Sequence, residues 1–183
     1  MSISASVLAK FVRPVFVETG TCGGVAVWTA MEVGYKSVYS CDIDKRRIIS
    51  AANGAARRGY TTVHVECSQS PIFLASVLPK IHEPITFWLD AHPAGRDLNP
   101  ATCPVWDELD VIRKHCKVPY VLLIDDISHF PDEHKASLIG KVKEIAPGYK
   151  VYAISGVDHF KGDVLLAAKP EDIPGELELI APL

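Results

Sequence analysis

With 183 residues and 48% hydrophobic side chains, the chain has the size of one domain and enough apolar content to exclude intrinsic disorder. A net charge of −3, a pI near 6.1 and a mean hydropathy of +0.15 give no broad footprint for nucleic acid and direct attention to a small-molecule ligand. Five scattered cysteines (Cys22, Cys41, Cys67, Cys103, Cys116) without a C-x-x-C pair argue against a disulfide framework or zinc knot; with no secretory leader pattern and no membrane-length apolar run, they predict a reduced, soluble, cytoplasmic protein.

Ser4 to Phe11 reads as a short lead-in helix. Val15, Phe16 and Val17 then form a β-branched and aromatic run typical of a buried strand, followed by Glu18-Thr19-Gly20-Thr21-Cys22-Gly23-Gly24. Glycines permit a tight turn and close backbone approach, and Val25 to Val33 resumes at helical spacing with Gly34 as C-cap. A strand, a glycine turn and a helix N-terminus together present unpaired N–H groups and a positive dipole end, which suits the polar part of a nucleotide-like ligand. The second glycine position of a dinucleotide fingerprint is Cys22, which disfavours a dehydrogenase.

Lys36 to Cys41 is predicted as the second strand, with Asp42 directly after it. Asp44 caps a helix to Arg58, stopped by Gly59. Thr61 to Glu66 is the third strand, Ser70 to Lys80 a helix with Pro71 in its first turn, and Ile85 to Leu89 a fourth strand ending in Asp90. The Pro-, Gly- and Asn-rich stretch from Ala91 to Thr102 is a candidate functional loop. A helix over Pro104 to His115 leads to the fifth strand, Tyr120 to Ile124, which ends in Asp125 and Asp126. Asp132 to Ile145 is helical, and Tyr149 to Ile154 and Asp163 to Ala168 are too closely connected for a helical crossover, so they pair antiparallel.

This order, with the Glu18 to Gly24 turn and the strand-terminal Asp42, resembles the class I S-adenosylmethionine-dependent methyltransferases over nearly the whole chain. The resemblance implies an α/β, Rossmann-like, doubly wound seven-stranded sheet in the order 3-2-1-4-5-7-6 with strand seven antiparallel and helices on both faces, forming a single domain over residues 1–183. It also implies that Glu18, Thr19, Gly20, Thr21, Gly23, Gly24, Asp42, Ile43, Ser68 and Asp90 contact S-adenosylmethionine, with Asp42 binding both ribose hydroxyls. Where the family often carries an adenine-reading Asp after strand three, this chain has Cys67, Ser68 and Gln69.

Phe87-Trp88-Leu89-Asp90-Ala91-His92 and Leu122-Leu123-Ile124-Asp125-Asp126 resemble the metal-binding strand ends of the Mg-dependent O-methyltransferases of the catechol and macrocin types. The likeness implies a divalent ion, Mg²⁺, at Asp90, Asp125 and Asp126. Neighbouring parallel strands bring such carboxylates together, and a bound ion lowers the pKa of an acceptor hydroxyl. Where the catechol group has a Lys base this chain has Pro93, which leaves His92 as the candidate base and makes His92 and Asp90 the catalytic candidates.

The resulting expectation is metal-assisted O-methylation of a small hydroxylated acceptor, with no membrane or nucleic-acid partner and with a homodimer as the assembly. Acceptor contacts fall to Ala91–Cys103, Ile127–His134 and Gly156–Gly162, or to a partner subunit, because no separate substrate domain is visible in the sequence. The alternative is a methyltransferase-like sensor that binds the cofactor without turnover. His129, Asp132, Glu133 and His134 straddle a helix start, where acids serve the helix dipole, and Arg46, Arg47, Arg57 and Arg58 read as a solvated helix face.

Overall fold

The computed structural model describes residues 3–93, 98–156, 162–175, 177 and 179–183. Ser4 Oγ accepts the Val7 N–H at 3.3 Å and caps α1 (Ala5–Leu8), which tightens into a 3₁₀ turn over Ala9–Phe11. Strand β1 (Val15–Thr19) runs two residues past the apolar triplet, so Glu18 and Thr19 belong to the strand and the turn begins at Gly20. Helix α2 (Val25–Val33) is bracketed by Gly24 and Gly34, both left-handed.

Strand β2 (Ser37–Asp42) takes in Asp42 as its last residue, and α3 (Lys45–Arg57) is capped by Asp44, whose side chain accepts the Arg46 N–H. After β3 (Val63–Cys67), α4 (Ser70–Val77) gives way to a 3₁₀ turn over Leu78–Lys80, where Pro79 breaks the predicted continuous helix. Strand β4 (Ile85–Leu89), helix α5 (Val105–His115), strand β5 (Tyr120–Ile124) and helix α6 (Asp132–Ile145) follow as the apolar spacing predicts. Strands β6 (Lys150–Ile154) and β7 (Val164–Ala168) pair antiparallel as predicted from their short connection.

The first seven strands lie in the order 3-2-1-4-5-7-6, with β7 antiparallel to both neighbours. One correction is needed at the edge. An eighth strand, β8 (Leu179–Pro182), pairs antiparallel with β6, making the sheet β3-β2-β1-β4-β5-β7-β6-β8. Only four residues long and ending in proline, this segment carries too weak a period to be recognised without its partner.

Two apolar layers sandwich the sheet. Phe73, Leu74, Leu109, Ile112, Leu138 and Val142 from α4, α5 and α6 pack with Phe87, Leu89 and Leu122 on one face, whereas Leu8, Ala26, Val27 and Ala30 pack with Phe16, Trp88 and Leu123 on the other. Burial on both faces explains why β4 and β5 read as unbroken apolar runs. Parallel registers align Thr19 with Cys41 and Leu89, and Leu89 with Ile124, so the residues that follow these strands emerge along one edge. Among the described residues, no helix is long and apolar enough to cross a membrane.

Candidate active site

At that edge the glycine turn folds over the end of β2. Gly20 N–H and Thr21 N–H both donate to the Cys41 carbonyl at 2.9 Å, and Gly24 N–H donates to Thr21 O at 2.7 Å. Gly20 has φ +87°, and a Cβ there would stand 2.3 Å from the Asp90 carbonyl oxygen, so only glycine lets the turn lie against the end of β4. Cys22 adopts φ +46°, a left-handed conformation unusual for a residue with a side chain.

Asp42 supports the turn from beneath. Its Oδ2 accepts Cys22 N–H at 2.9 Å and an Arg47 N–H at 3.3 Å, and its Oδ1 accepts Asp44 N–H at 2.8 Å. A carboxylate has about four acceptor sites, so three of them serve the protein here. Asp42 therefore has a structural role that its sequence position alone does not reveal. Glu18 is buried: its Oε2 accepts the Ser40 hydroxyl, which lies 2.6 Å from Thr21 Oγ1, and burial pushes the Glu18 carboxyl well above its ordinary range. Glu18 thus braces the turn through hydroxyls, whereas Gly23 and the 77%-exposed Ile43 lie at the surface. Ser68 N–H donates to Asp42 O, and Ser68 Oγ to Gln69 O.

The ends of β4 and β5 carry the second constellation. His92 Nε2 lies 3.1 Å from Asp90 Oδ1 and 3.0 Å from Asp126 Oδ2, and His129 Nδ1 lies 3.4 Å from the same Asp126 oxygen. None of these contacts is directed as a hydrogen bond; both imidazole nitrogens are buried without a hydrogen-bond partner. Burial works to lower the His92 pKa, but Asp126 and Asp90 outweigh it and raise it to about 10. Contact with His92 in turn holds Asp126 below the usual carboxylate range, while burial raises Asp90.

Of the three aspartates predicted to share an ion, Asp90 and Asp126 meet at His92. Asp125 groups instead with Asp126 and Asp163, their nearest oxygens lying within 4.8 Å of one another. Asp125 Oδ1 accepts the Asp126 N–H, leaving a buried Oδ2 without a partner, and burial together with Asp90 and Asp126 raises its pKa. Asp90, His92 and Asp126 each bring a donor atom within 4.8 Å of the other two, a donor set that fits a divalent cation.

Several residues of this region gave no sequence signal. Glu108, in the first turn of α5, looks like a dipole-serving acid but is 1% exposed with Oε1 unpartnered; burial pushes it up to about 7 despite nearby Ser70 and Thr19 hydroxyls. Ile72 of α4, like Ile43, is an exposed apolar side chain beside the strand ends. Asp163 anchors its neighbours by accepting the Ser128 N–H. His129, Asp132, Glu133 and His134 do not converge as a unit, in keeping with their reading as a helix start: His134 faces Glu133 and Asp132 faces Lys135. Of the expected acceptor segments, residues 94–97 and 157–161 lie outside the described residues.

No family model and no curated protein matches the sequence. Solved structures do match. An O-methyltransferase from Bacillus cereus in complex with SAH superposes with TM-score 0.66 at 14% identity, covering 90% of this chain and 78% of that one. A protein from Streptococcus mutans described as a methyltransferase, also in complex with SAH, gives 0.62 at 15% identity over 89% and 92%. An rRNA methylase from Streptococcus thermophilus gives 0.57 at 13% identity over 90% and 93%. The fold is therefore that of the class I S-adenosylmethionine-dependent methyltransferases. One neighbour is named an O-methyltransferase and another an rRNA methylase, so the fold leaves the acceptor open.

Proposed function

We propose that this chain is an S-adenosylmethionine-dependent methyltransferase that methylates a hydroxyl of a small acceptor with the help of a divalent ion. The observation that carries this reading is the juxtaposition of the Gly20–Gly24 turn with Asp90. The tight Gly20 contact fixes the turn directly against the strand end that bears the candidate ligands. A turn that binds the cofactor and a site that ionises an acceptor thus share one edge.

The turn residues, the remaining acceptor capacity of Asp42 and the exposed Ile43 and Ile72 would hold the cofactor. When bound, S-adenosylmethionine supplies an activated methyl group, which needs little beyond an oriented, ionised nucleophile. Asp90 and Asp126 would hold a divalent ion, which would supply the polarisation that lowers a hydroxyl's pKa. Glu18, Ser40 and Thr21 keep the turn in shape, and Asp42 fixes Cys22 and Asp44 on either side of the opening. His92 points Nε2 at Asp90 and Asp126, which favours a role among the ligands over the free base expected from sequence.

Calorimetric titration with S-adenosylhomocysteine, followed by product assays on a panel of sugars and phenols with Mg²⁺ or Mn²⁺, tests the reading. Binding that is lost in Asp42→Ala, together with metal-dependent methyl transfer, is the expected result. Binding without turnover on any acceptor favours the sensor alternative, to which Cys67 and Ser68 in place of an adenine-reading Asp lend some support. No binding sinks both.

A further inference from the structure

The two margins of the sheet differ. An edge strand offers a row of unpaired N–H and C=O groups to another chain unless it is shortened, interrupted or covered. β8 is four residues long, ends in Pro182 and meets β6 through an irregular register, so that margin is blunted. β3 (Val63–Cys67) carries no proline, lysine or register shift, and among the described residues β2 is its only partner strand.

Alternate residues of β3 turn their backbone groups toward β2. Thr62 O accepts the Val38 N–H at 3.0 Å and Ser68 N–H donates to Asp42 O at 3.1 Å, which assigns Thr62, His64, Glu66 and Ser68 to that ladder. The N–H and C=O groups of Val63, Val65 and Cys67 therefore point outward from the sheet. Side chains alternate as well: His64 stacks on Tyr39, ring centres 4.8 Å apart, so His64 and Glu66 stand exposed on the face that bears α4, while Val63 packs into the opposite layer. Next to them a cavity of about 480 Å³, floored by Tyr39, Phe73 and Val77, opens between β3 and α4, so the helix layer leaves this margin bare.

We propose that the free edge of β3 pairs antiparallel with β3 of a second copy of this chain, about a two-fold axis through Val65. In that register Val65 exchanges both backbone bonds with the partner's Val65, and Val63 does so with the partner's Cys67, which uses the outward groups of the strand. His64 then stands directly opposite the partner's Glu66, and Glu66 opposite the partner's His64, in the close type of cross-strand pair, about 4.5 Å between Cα atoms. An imidazole N–H donates to a carboxylate, and the symmetry supplies the pair twice. Sliding the copies by two residues keeps the ladder but sets imidazole against imidazole or carboxylate against carboxylate, which disfavours those registers. The stacking on Tyr39 holds the His64 ring in place before the partner arrives. The inference does not rest on the reaction proposed above.

Sedimentation velocity and light scattering on the whole chain, from about 1 µM to about 1 mM, test the interface. The expected result is a monomer that becomes a dimer as concentration rises. Val65→Pro removes the central outward N–H and leaves the ladder to β2 intact, the kind of proline that an edge strand tolerates, and should weaken the dimer at least about tenfold. Glu66→Lys sets a cation opposite the partner's His64, and His64→Glu sets carboxylates opposite one another; each should weaken the dimer by about tenfold, and the two changes together should restore it. Both side chains are exposed, so this rescue reads the register even where Val65→Pro does not fold. A monomer at every concentration, assemblies larger than two copies, a dimer indifferent to a folded Val65→Pro variant, or charge variants that neither weaken the dimer singly nor restore it together overturns the proposal.

Discussion

The Asp42 carboxylate and the Cys22 amide are joined by a 2.9 Å hydrogen bond, which pins the middle of the glycine turn to the end of β2. The bond stabilises a left-handed cysteine at a place where glycine is the easier residue. Asp42→Ala removes the acceptor for two backbone N–H groups, those of Cys22 and Asp44, and is expected to cost about 2–4 kcal/mol in urea unfolding. A loss of cofactor binding with unchanged stability would show instead that Asp42 acts on the ligand alone.

Cys22 itself supplies a second comparison. Cys22→Gly relieves the left-handed strain but frees the unfolded chain, so stability should change by less than about 1 kcal/mol. Cys22→Val places a branched Cβ in the same conformation and should destabilise by about 1–3 kcal/mol, measured by the same unfolding curves.

Gly20→Ala should be more damaging than either. The added Cβ meets the Asp90 carbonyl at 2.3 Å and the residue sits at φ +87°, so both overlap and backbone strain act. A loss of about 2–5 kcal/mol is expected, together with loss of S-adenosylhomocysteine binding.

Gly54→Ala tests packing away from the site. In the middle of a helix the change ordinarily stabilises by about 1 kcal/mol, but here the new methyl meets Trp28 Cζ2 at 2.6 Å. Trp28 is also covered by the Arg58 guanidinium, 4.1 Å from its ring centre, so it has little room to yield. The melting temperature should fall, with a change in tryptophan fluorescence.

Buried Glu108 gives a pH prediction. Its folded pKa of about 7 lies above its ordinary value of 4.5, so the folded state holds a proton that the unfolded chain releases as pH rises between those values. Its contribution is therefore fully present below about pH 4.5 and is lost as pH climbs through 7, a change of order 3 kcal/mol. Glu108→Gln keeps the neutral shape. Its stability relative to the parent should rise from pH 5 to pH 8; a flat difference would show that Glu108 is not buried as a neutral acid.

Much of the architecture was legible because local signals agreed with one another. Gly34 and Asp44 mark helix ends by chemistry that acts within a turn, and β4 and β5 announce double-sided burial by unbroken apolar runs. β8 was not legible, since four residues ending in proline become a strand only by pairing with β6. Nor did position reveal that three acceptor sites of Asp42 serve the protein itself, or that Glu108 turns inward from a helix end where acids are common.

The sequence by itself determined the order of strands and helices, the glycine turn and the placing of Asp90, Asp125 and Asp126 at strand ends, because spacing and residue type act locally. Only the tertiary structure decided which of those carboxylates face one another. The direction of a side chain beyond a strand end is set by the contacts of the loop that follows. Here those contacts send Asp90 and Asp126 to His92 and His129, and send Asp125 toward Asp163.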